Sequence, residues 1–483
     1  MLIMRNYLLA CLLMLLTATV CHAQRGEVDG LIGMHRLTEC PEIRDVKMMP
    51  NGRILLCGLR EDIFPTSTVG GYIGTYSADD GSLLQGHTNT IARSAFACDT
   101  LSNNLGIAVC GHRDSATHLV FITTNQQYID YAMPTELGLS SVEAFDIKTQ
   151  RNGQILVAGT AEKNGQHLFF IARLFYLSDG IIGYDNSFGV YGVTTLAFGT
   201  DAQARAIDIQ SDNKIIVAGH SIAPNRSGII VRLNYDGSLD YSFNTTGYVE
   251  SNASAPNGFV EYYSVNVDAA DNIFCTGATQ SGGCYTTISA TGAIHSNYNF
   301  TDAKAYYTSA ISSNSLYMAG PDADYFQSYN GYSCVQIANV AAGSAAYTDT
   351  SFLAFRNSYQ LLTEVDNAIF GSAIQPDGKL LLAGRLNGSG FFTRLITAGT
   401  TTGIPATTAQ PAFSIYPNPA TESILIKAEK ITHLRITDLA GREVMQLNCE
   451  PVNQLQLNVS ALTPAIYLVT INGNQTSKLV KTH

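Results

Sequence analysis

One phrase, a turn followed by an apolar run that ends in glycine, recurs through the first four hundred residues and limits the possible folds more sharply than any other feature. It reads N-G-R-I-L-L-C-G from Asn51 to Gly58, N-G-Q-I-L-V-A-G from Asn152 to Gly159, D-N-K-I-I-V-A-G from Asp212 to Gly219 and D-G-K-L-L-L-A-G from Asp377 to Gly384. Weaker copies close at Gly111, Gly277 and Gly320. An alternating stretch precedes each turn, as in Ala144-Phe145-Asp146-Ile147 and Ala206-Ile207-Asp208-Ile209, which is the period-two signature of a strand. The N-G, D-G or D-N pair supplies positive φ for a hairpin, and the unbroken apolar run suits a strand covered on both faces. A third strand follows in Phe169–Leu174, Ile229–Leu233 and Phe391–Leu395. Asp236–Phe243 then predicts a second turn and a short outer strand, its D-x-S-F ending repeated at Asp185–Phe188 and Asp349–Phe352.

Seven units of about 50 residues, each of four antiparallel strands, must stack on neighbours to bury their faces. The expected fold is all-β: a seven-bladed β-propeller over residues 24–399, followed by a small immunoglobulin-like β-sandwich. A linear solenoid would need polar caps, and none is evident. The last unit lacks an outer strand, and Val28–Gly33 is expected to supply it and close the ring, which removes two exposed edges. A charged fraction of only 14% and 42 glycines agree with a turn-rich all-β chain. The net charge of −11, with no basic run, argues against nucleic acid as a partner.

The phrases Gln375–Gly384 and Arg232–Phe243 resemble the delta-60 β-propeller repeat of bacterial secreted proteins, over roughly Glu42 to Thr397. The resemblance implies a fold but no activity, since families with this repeat share no catalytic motif.

Both ends of the chain bear on its destination. Residues 1–23 combine Arg5, an apolar stretch from Leu8 to Leu16 and a small-residue exit at Ala23, the layout of a cleaved signal peptide. Leu8–Cys11 resembles a lipobox and is the rival reading. Residues 400–412 have a Thr/Pro linker composition. Residues 413–483 contain seven strand-like runs and an ordered set of motifs: Tyr416-Pro417-Asn418-Pro419, then Asp438 to Gly441, then Tyr467 in an I-Y-L-V-T-I strand, then Lys478 and Lys481 in a basic ending. This set resembles the C-terminal sorting domain of the Por, or type IX, secretion system. The resemblance implies passage through the periplasm to the outer surface or the medium, with the type IX machinery as partner. Pro464-Ala465 stands where the family usually has Gly before Ile-Tyr. No later segment is long and apolar enough to form a transmembrane span.

Chemistry is less legible. There is no H-E-x-x-H, G-x-S-x-G or Walker loop, no C-x-x-C zinc spacing, and no D-x-D-x-D-G calcium loop; no cofactor and no metal are expected. Eight cysteines follow the signal segment, and one disulfide, Cys275 to Cys284 across a hairpin, is the pairing proposed. His112 and His220 each follow a closing glycine. With Arg385, Tyr325 and Tyr329 they are the candidate ligand-binding residues on the mouth formed by the loops after those glycines. The loops Arg60–Gly71, Ser221–Gly228 and Asp322–Gly331 are expected to be the longest. Asp45, Asp146, Asp208 and Asn266 are read as one register of the innermost strand, either a ring of acceptors around the channel or, as favoured, side chains hydrogen-bonded to the next blade. The expected function is a secreted or surface binding and adhesion scaffold for a glycan or protein, more in keeping with a non-enzyme. The alternative is a propeller hydrolase acting on glycans or esters, with Tyr in place of the absent Trp as sugar platforms.

Overall fold

The protein is described by a computed structural model covering residues 29, 34–37, 40–61, 69–89, 92–101, 103–112, 117–176, 182–223, 225–251, 260–300, 305–312, 315–321, 332–338, 347–348, 367–386, 388–397, 413–418, 420–438, 443–472 and 475–482. The chain separates into two compact units at Thr400/Thr401. The first contains seven antiparallel sheets in sequence order, each at least four-stranded, and these are the blades. Their innermost strands are Glu42–Met48, Ala92–Thr100, Ser141–Thr149, Ala202–Ile209, Val260–Val267, Thr308–Ser312 and Asn367–Ile374.

The ring closes through the N-terminus, one step later in sequence than expected. The fourth strand of blade 7 is Met34–Leu37, which pairs with Gly390–Thr393. Of Val28–Gly33 only Asp29 lies within the described residues; its N–H donates to the Arg394 carbonyl at 2.8 Å. The outer strand of blade 4 is likewise Tyr248–Ser251, so Asp236–Phe243 forms turns rather than a strand. Asp349–Phe352 lies outside the described residues.

The unbroken apolar second strand has a plain cause. Alternate side chains enter different inter-blade cores: Ile155 and Val157 pack with blade 2, whereas Leu156 and Ala158 pack with blade 4. Seven such buried clusters fill the interfaces between successive blades, each buried Leu, Ile or Val contributing about 1.5–3 kcal/mol. The hairpin turns need positive φ, met by Gly52, Gly153 and Gly378 and by Asn104, Asn213 and Asp271 in the other copies.

The closing glycines answer a different demand. The innermost strand carries a bulge in six blades, between Ile43 and Asp45 in blade 1 and at matching places in blades 2, 3, 4, 5 and 7. The bulge drives a backbone carbonyl against the second strand. A Cβ on Gly58, Gly159, Gly219, Gly277 or Gly384 would fall on the carbonyl oxygen of Glu42, Glu143, Gln203, Glu261 or Ala368, and one on Gly320 on that of Ala305. Blade 2 departs from this pattern. Ala95 faces Cys110, so Cys110 occupies the closing position and Gly111 lies one residue beyond it.

The second unit is a five-stranded sheet of Phe413–Tyr416, Ser423–Asp438, Glu443–Asn458, Ala465–Ile471 and Gln475–Lys481. Its two long strands each run through what the sequence divides into two. Their pairing shifts around Lys427 to His433, and Ile424 and Ile426 from one half share a single buried cluster with Leu434 and Ile436 from the other. This bending lets one hydrogen-bonded sheet enclose a core as a sandwich would.

Candidate functional site

All seven innermost strands line one cavity of about 360 Å³, the central channel. Its walls are stitched blade to blade. Asp45 accepts the Val46 and Cys98 N–H groups at 2.8 and 3.1 Å. Asp99 accepts those of Thr100 and Thr149, Asp146 those of Ile147 and Ile207, and Asp208 those of Ile209 and Val267. Asn266 donates to the Ser309 carbonyl at 3.0 Å, and the hydroxyls of Thr308 and Ser372 meet at 2.8 Å. Each of these links joins one blade to the next. Between blades 7 and 1 the backbones themselves close up, for a Cβ on Gly371 would strike Asp45.

The acceptors occupy two registers and not one. Asp45 and Asp146 directly follow the bulge, facing Cys57 and Ala158. Asp208 and Asn266 lie two residues deeper, level with Lys47 and Lys148. Lys47 pairs with Asp45 at 2.9 Å and Lys148 with Asp208 at 2.7 Å. Burial pushes Asp146 up to about 7, opposed by Lys47 and reinforced by Asp45. Burial also raises Asp99, opposed by Lys148 and the Thr149 N–H. Both oxygens of each aspartate are thus engaged by backbone N–H groups.

Above the stitches, the residue at each of the six bulges, and Tyr307 just before the innermost strand of blade 6, turns into the channel. These are Arg44, Phe96, Phe145, Arg205, Tyr263, Tyr307 and Phe370, one per blade, all half-buried and all lining the cavity. They touch around the ring. Arg44 lies over Phe370 at 5.1 Å and Arg205 over Phe145 at 4.1 Å. Phe96 meets Phe145 edge-on, Tyr263 meets Tyr307 edge-on, and Tyr307 stacks on Phe370 at 5.8 Å. Arg44 is ion-paired to Glu42, and Glu261 to Arg226, with the Tyr263 hydroxyl donating to Glu261. Arg205 donates to Gln203 at 2.6 Å. The signal for this collar was in the sequence, one residue before Asp45 and Asp146 and three before Asp99, Asp208 and Asn266, but it is visible only once the bulge is known.

The residues singled out from sequence are placed unevenly. Arg385 reaches from blade 7 to Glu42 of blade 1 at 2.8 Å, on the collar side. His220 is buried, its Nδ1 without a partner among the described residues, and burial holds it down at about 4 despite Glu261, with Arg205 and Arg226 also lowering it. His112 ends its strand opposite Ala92, two residues past the closing position, so it is not equivalent to His220, which faces Gln203 one residue past. Tyr325 and Tyr329 lie outside the described residues, as do all of Asp322–Gly331 and most of Arg60–Gly71. Ser221–Gly228 is no loop: Ala223 pairs with Asn225 in a hairpin that simply extends both strands. Cys275 and Cys284 are free thiols. The register sets Cys284 against Gly277 and Cys275 against Thr286, so the two are offset along the hairpin, and burial pushes the Cys284 thiol up to about 12.

Sequence reading missed the arginine of the third strand. Arg173 is fully buried, pairs with Asp185 at 2.7 Å, lies over Phe188 and Tyr235 and donates to the Tyr235 carbonyl of the next blade. Arg232 repeats this with Asp240, Phe243 and the Ala290 carbonyl. Arg394 repeats it with Asp29 at 2.9 Å and the Ala78 carbonyl at 2.6 Å. Asp29 therefore takes the role of the D-x-S-F aspartate for the blade that the N-terminus completes.

In the second unit, Tyr416 and Pro417 are exposed, Asn418 accepts the Val480 N–H at 2.8 Å, and the buried Tyr467 donates to the Thr463 carbonyl at 2.9 Å. Lys481 is buried and bonds the Thr482 carbonyl. Asp438 faces Tyr467 and Lys478 faces Leu468 across the sheet. Pro419 and Gly441, residues 1–23 and residues 400–412 lie outside the described residues. None of the described residues forms a helix long and apolar enough to cross a membrane.

Residues 414–482 match the secretion system C-terminal sorting domain, and residues 210–243 match DUF5122, a β-propeller domain of unknown function. No curated protein matches the chain. Among solved structures it is similar to PorZ, a surface component of the type-IX secretion system of Porphyromonas gingivalis, at 12% identity and a TM-score of 0.33, over 91% of this chain. The chain spans 60% of the length of that PorZ structure. It is also similar to YCF48 bound to D1 peptide, at 11% identity and a TM-score of 0.43 over 78% of this chain and 100% of that one. A third likeness is to Sqt1 of Chaetomium thermophilum, at 8% identity and a TM-score of 0.44 over 92% and 97%. The chain is a seven-bladed β-propeller that ends in a Por secretion system C-terminal sorting domain and is exported by the type IX route to the medium or the cell surface.

Proposed function

We propose that the exported propeller is a binding scaffold whose ligand seats on the collar at the closing-glycine mouth of the channel. The observation that carries this reading is the collar itself: seven side chains at one structural register, all aromatic or arginine, over a wall whose polar groups are already paired. Stability of the stack asks for apolar or small residues at a channel lining. It does not ask for two guanidinium groups resting on phenylalanine faces, an arrangement suited to recognition. Domain limits of 24–399 for the propeller and 413–483 for the sorting module belong to the same proposal, with the second removable without loss of binding.

The test is to incubate the purified chain with an arrayed set of glycans and proteins and with a panel of glycosidase and esterase substrates. Retention of at least one ligand, recovered uncleaved, is the expected result. Turnover of any substrate, abolished by substitution of a channel carboxylate, would overturn it. Removal of residues 413–483 should leave the protein in the periplasm, and its normal appearance in the medium would contradict the role given to the sorting domain.

A further inference from the structure

Resting on that reading of the mouth, the collar also says what kind of group it takes. Its two guanidiniums differ in one respect. Arg44 is in ion-pair contact with Glu42, which also holds Arg385. Arg205 has no carboxylate in ion-pair contact among the described residues, Glu143 and Glu261 acting on it only at longer range. Its buried Nε has no hydrogen-bond partner, while its terminal nitrogens line the cavity side with one bond to Gln203. Its planar face is occupied by Phe145, so the donors it has left lie in the guanidinium plane. A half-buried guanidinium with no carboxylate in contact gains from one, and its planar fork of donors matches the two oxygens of a carboxylate.

The surroundings narrow the choice. Phe96 and Tyr307 line the same cavity, with Phe370 engaged by Arg44 and Tyr307, and an aromatic ring of this kind suits the C–H face of a sugar ring. The cavity, about 360 Å³, stands at the small end for ligand sites, and seven blades enclose it, so a chain can enter only by its end. A peptide terminus fits less well. It brings amide N–H and C=O groups that need partners, while the backbone N–H groups of Val46, Ile147, Ile207 and Ile209 are already taken by the aspartates.

We propose that the mouth binds the terminal residue of an acidic glycan, a carboxylate-bearing sugar, with Arg205 as the ion-pair partner and the collar aromatics as its platform. Titration calorimetry of the purified chain with trigalacturonate tests this. The expected result is binding that weakens about tenfold or more for the methyl-esterified trisaccharide and for Arg205→Met, with Arg205→Lys intermediate and the melting temperature of both variants near that of the wild type. A short peptide with a free C-terminal carboxylate should bind at least about tenfold more weakly than trigalacturonate. Equal affinity for the acid and its ester, wild-type affinity in Arg205→Met, preference for the peptide, or no binding of trigalacturonate would each overturn the assignment. The ester and peptide arms use the wild-type chain and so hold even if a variant fails to fold. If trigalacturonate is ignored while the chain still retains another ligand from the array, this inference alone fails; if nothing is retained, the binding scaffold fails with it.

Discussion

Blades 3, 4 and 7 differ from blades 1, 2, 5 and 6 at a single register of the third strand. Opposite Leu156, Ile216 and Leu381 stand Arg173, Arg232 and Arg394. At the same register the other blades carry Thr75, Thr123, Thr287 and Gln336. Each arginine clasps an outer aspartate and the carbonyl of the following blade, whereas the aspartate, asparagine and hydroxyl stitches at the channel run almost all the way round. The inner ring is thus held by a device common to strong and weak copies of the repeat, and among the described residues the outer rim is clasped at three places. Three of the four plainest copies of the repeat lie in blades that carry the clasp, the copy in blade 1 being plain without it, and the segment matched by the propeller family, 210–243, runs from a hairpin turn through Arg232 to Asp240 and Phe243.

The sharpest way to break this comparison is to remove a clasp. Burial alone would push Asp240 up, but Lys214, Ser242 and Arg232 hold it well below the usual carboxylate range. Arg232→Met leaves Asp240 to Lys214 and Ser242 and strips the Ala290 carbonyl of its donor, and should destabilise the chain by about 3 kcal/mol, measured by urea unfolding. Thr287→Met, at the same register of an unclasped blade, should cost less than about half as much; equal losses would show that the arginine clasps nothing.

The next largest effect depends on pH. His220 titrates near 4 in the fold, because burial disfavours its cation, against an ordinary value of 6.5. Above about 6.5 neither state is protonated. As pH falls from about 6.5 to about 4 the unfolded chain takes up a proton that the folded one refuses, so stability declines by up to about 3 kcal/mol and then levels off. His220→Gln should flatten that decline relative to wild type, with Glu261, Arg205, Arg226 and Asp201 still in place around it. An unchanged slope would show that another group drives it.

A smaller effect separates blade 4 from blade 2. Gly219→Ala sets a methyl against the Gln203 carbonyl and should cost about 1–3 kcal/mol by overpacking. Cys110→Ala at the equivalent place in blade 2, where a side chain is already accommodated, should cost less than about 1 kcal/mol, and thermal melts of the two variants decide the matter.

Much of the propeller could be read from sequence because hairpin turns, covered strands and closing glycines leave local patterns. Blade number, the two-sided burial of the second strands and the sorting motifs were all legible in this way. The rest depends on geometry that a linear pattern conceals. The bulge shifts the phase of the innermost strand by one residue, so Asp45 and Asp208 look alike in sequence yet stand at different depths, and Arg44, Phe145 and Arg205 look like ordinary strand residues until the bulge turns them inward. Cys275 and Cys284 seemed positioned for a bridge because a hairpin was visible, but its register was not. The Ser221–Gly228 hairpin was read as a loop because Ser, Pro and Asn suggest a break where the strands in fact continue.

The central claim is that recognition belongs to the collar and stability to the stitches and clasps beneath and around it. Retention on a ligand array, with a parallel thermal melt, tests it most directly when applied to the double variant Phe145→Ala/Phe370→Ala, which removes two half-buried platforms while leaving Asp45, Asp146, Asp208 and Arg232 in place. The account predicts loss of retention with the melting temperature within several degrees of wild type. Full retention by a variant that melts normally would contradict it and move the binding surface away from the channel mouth.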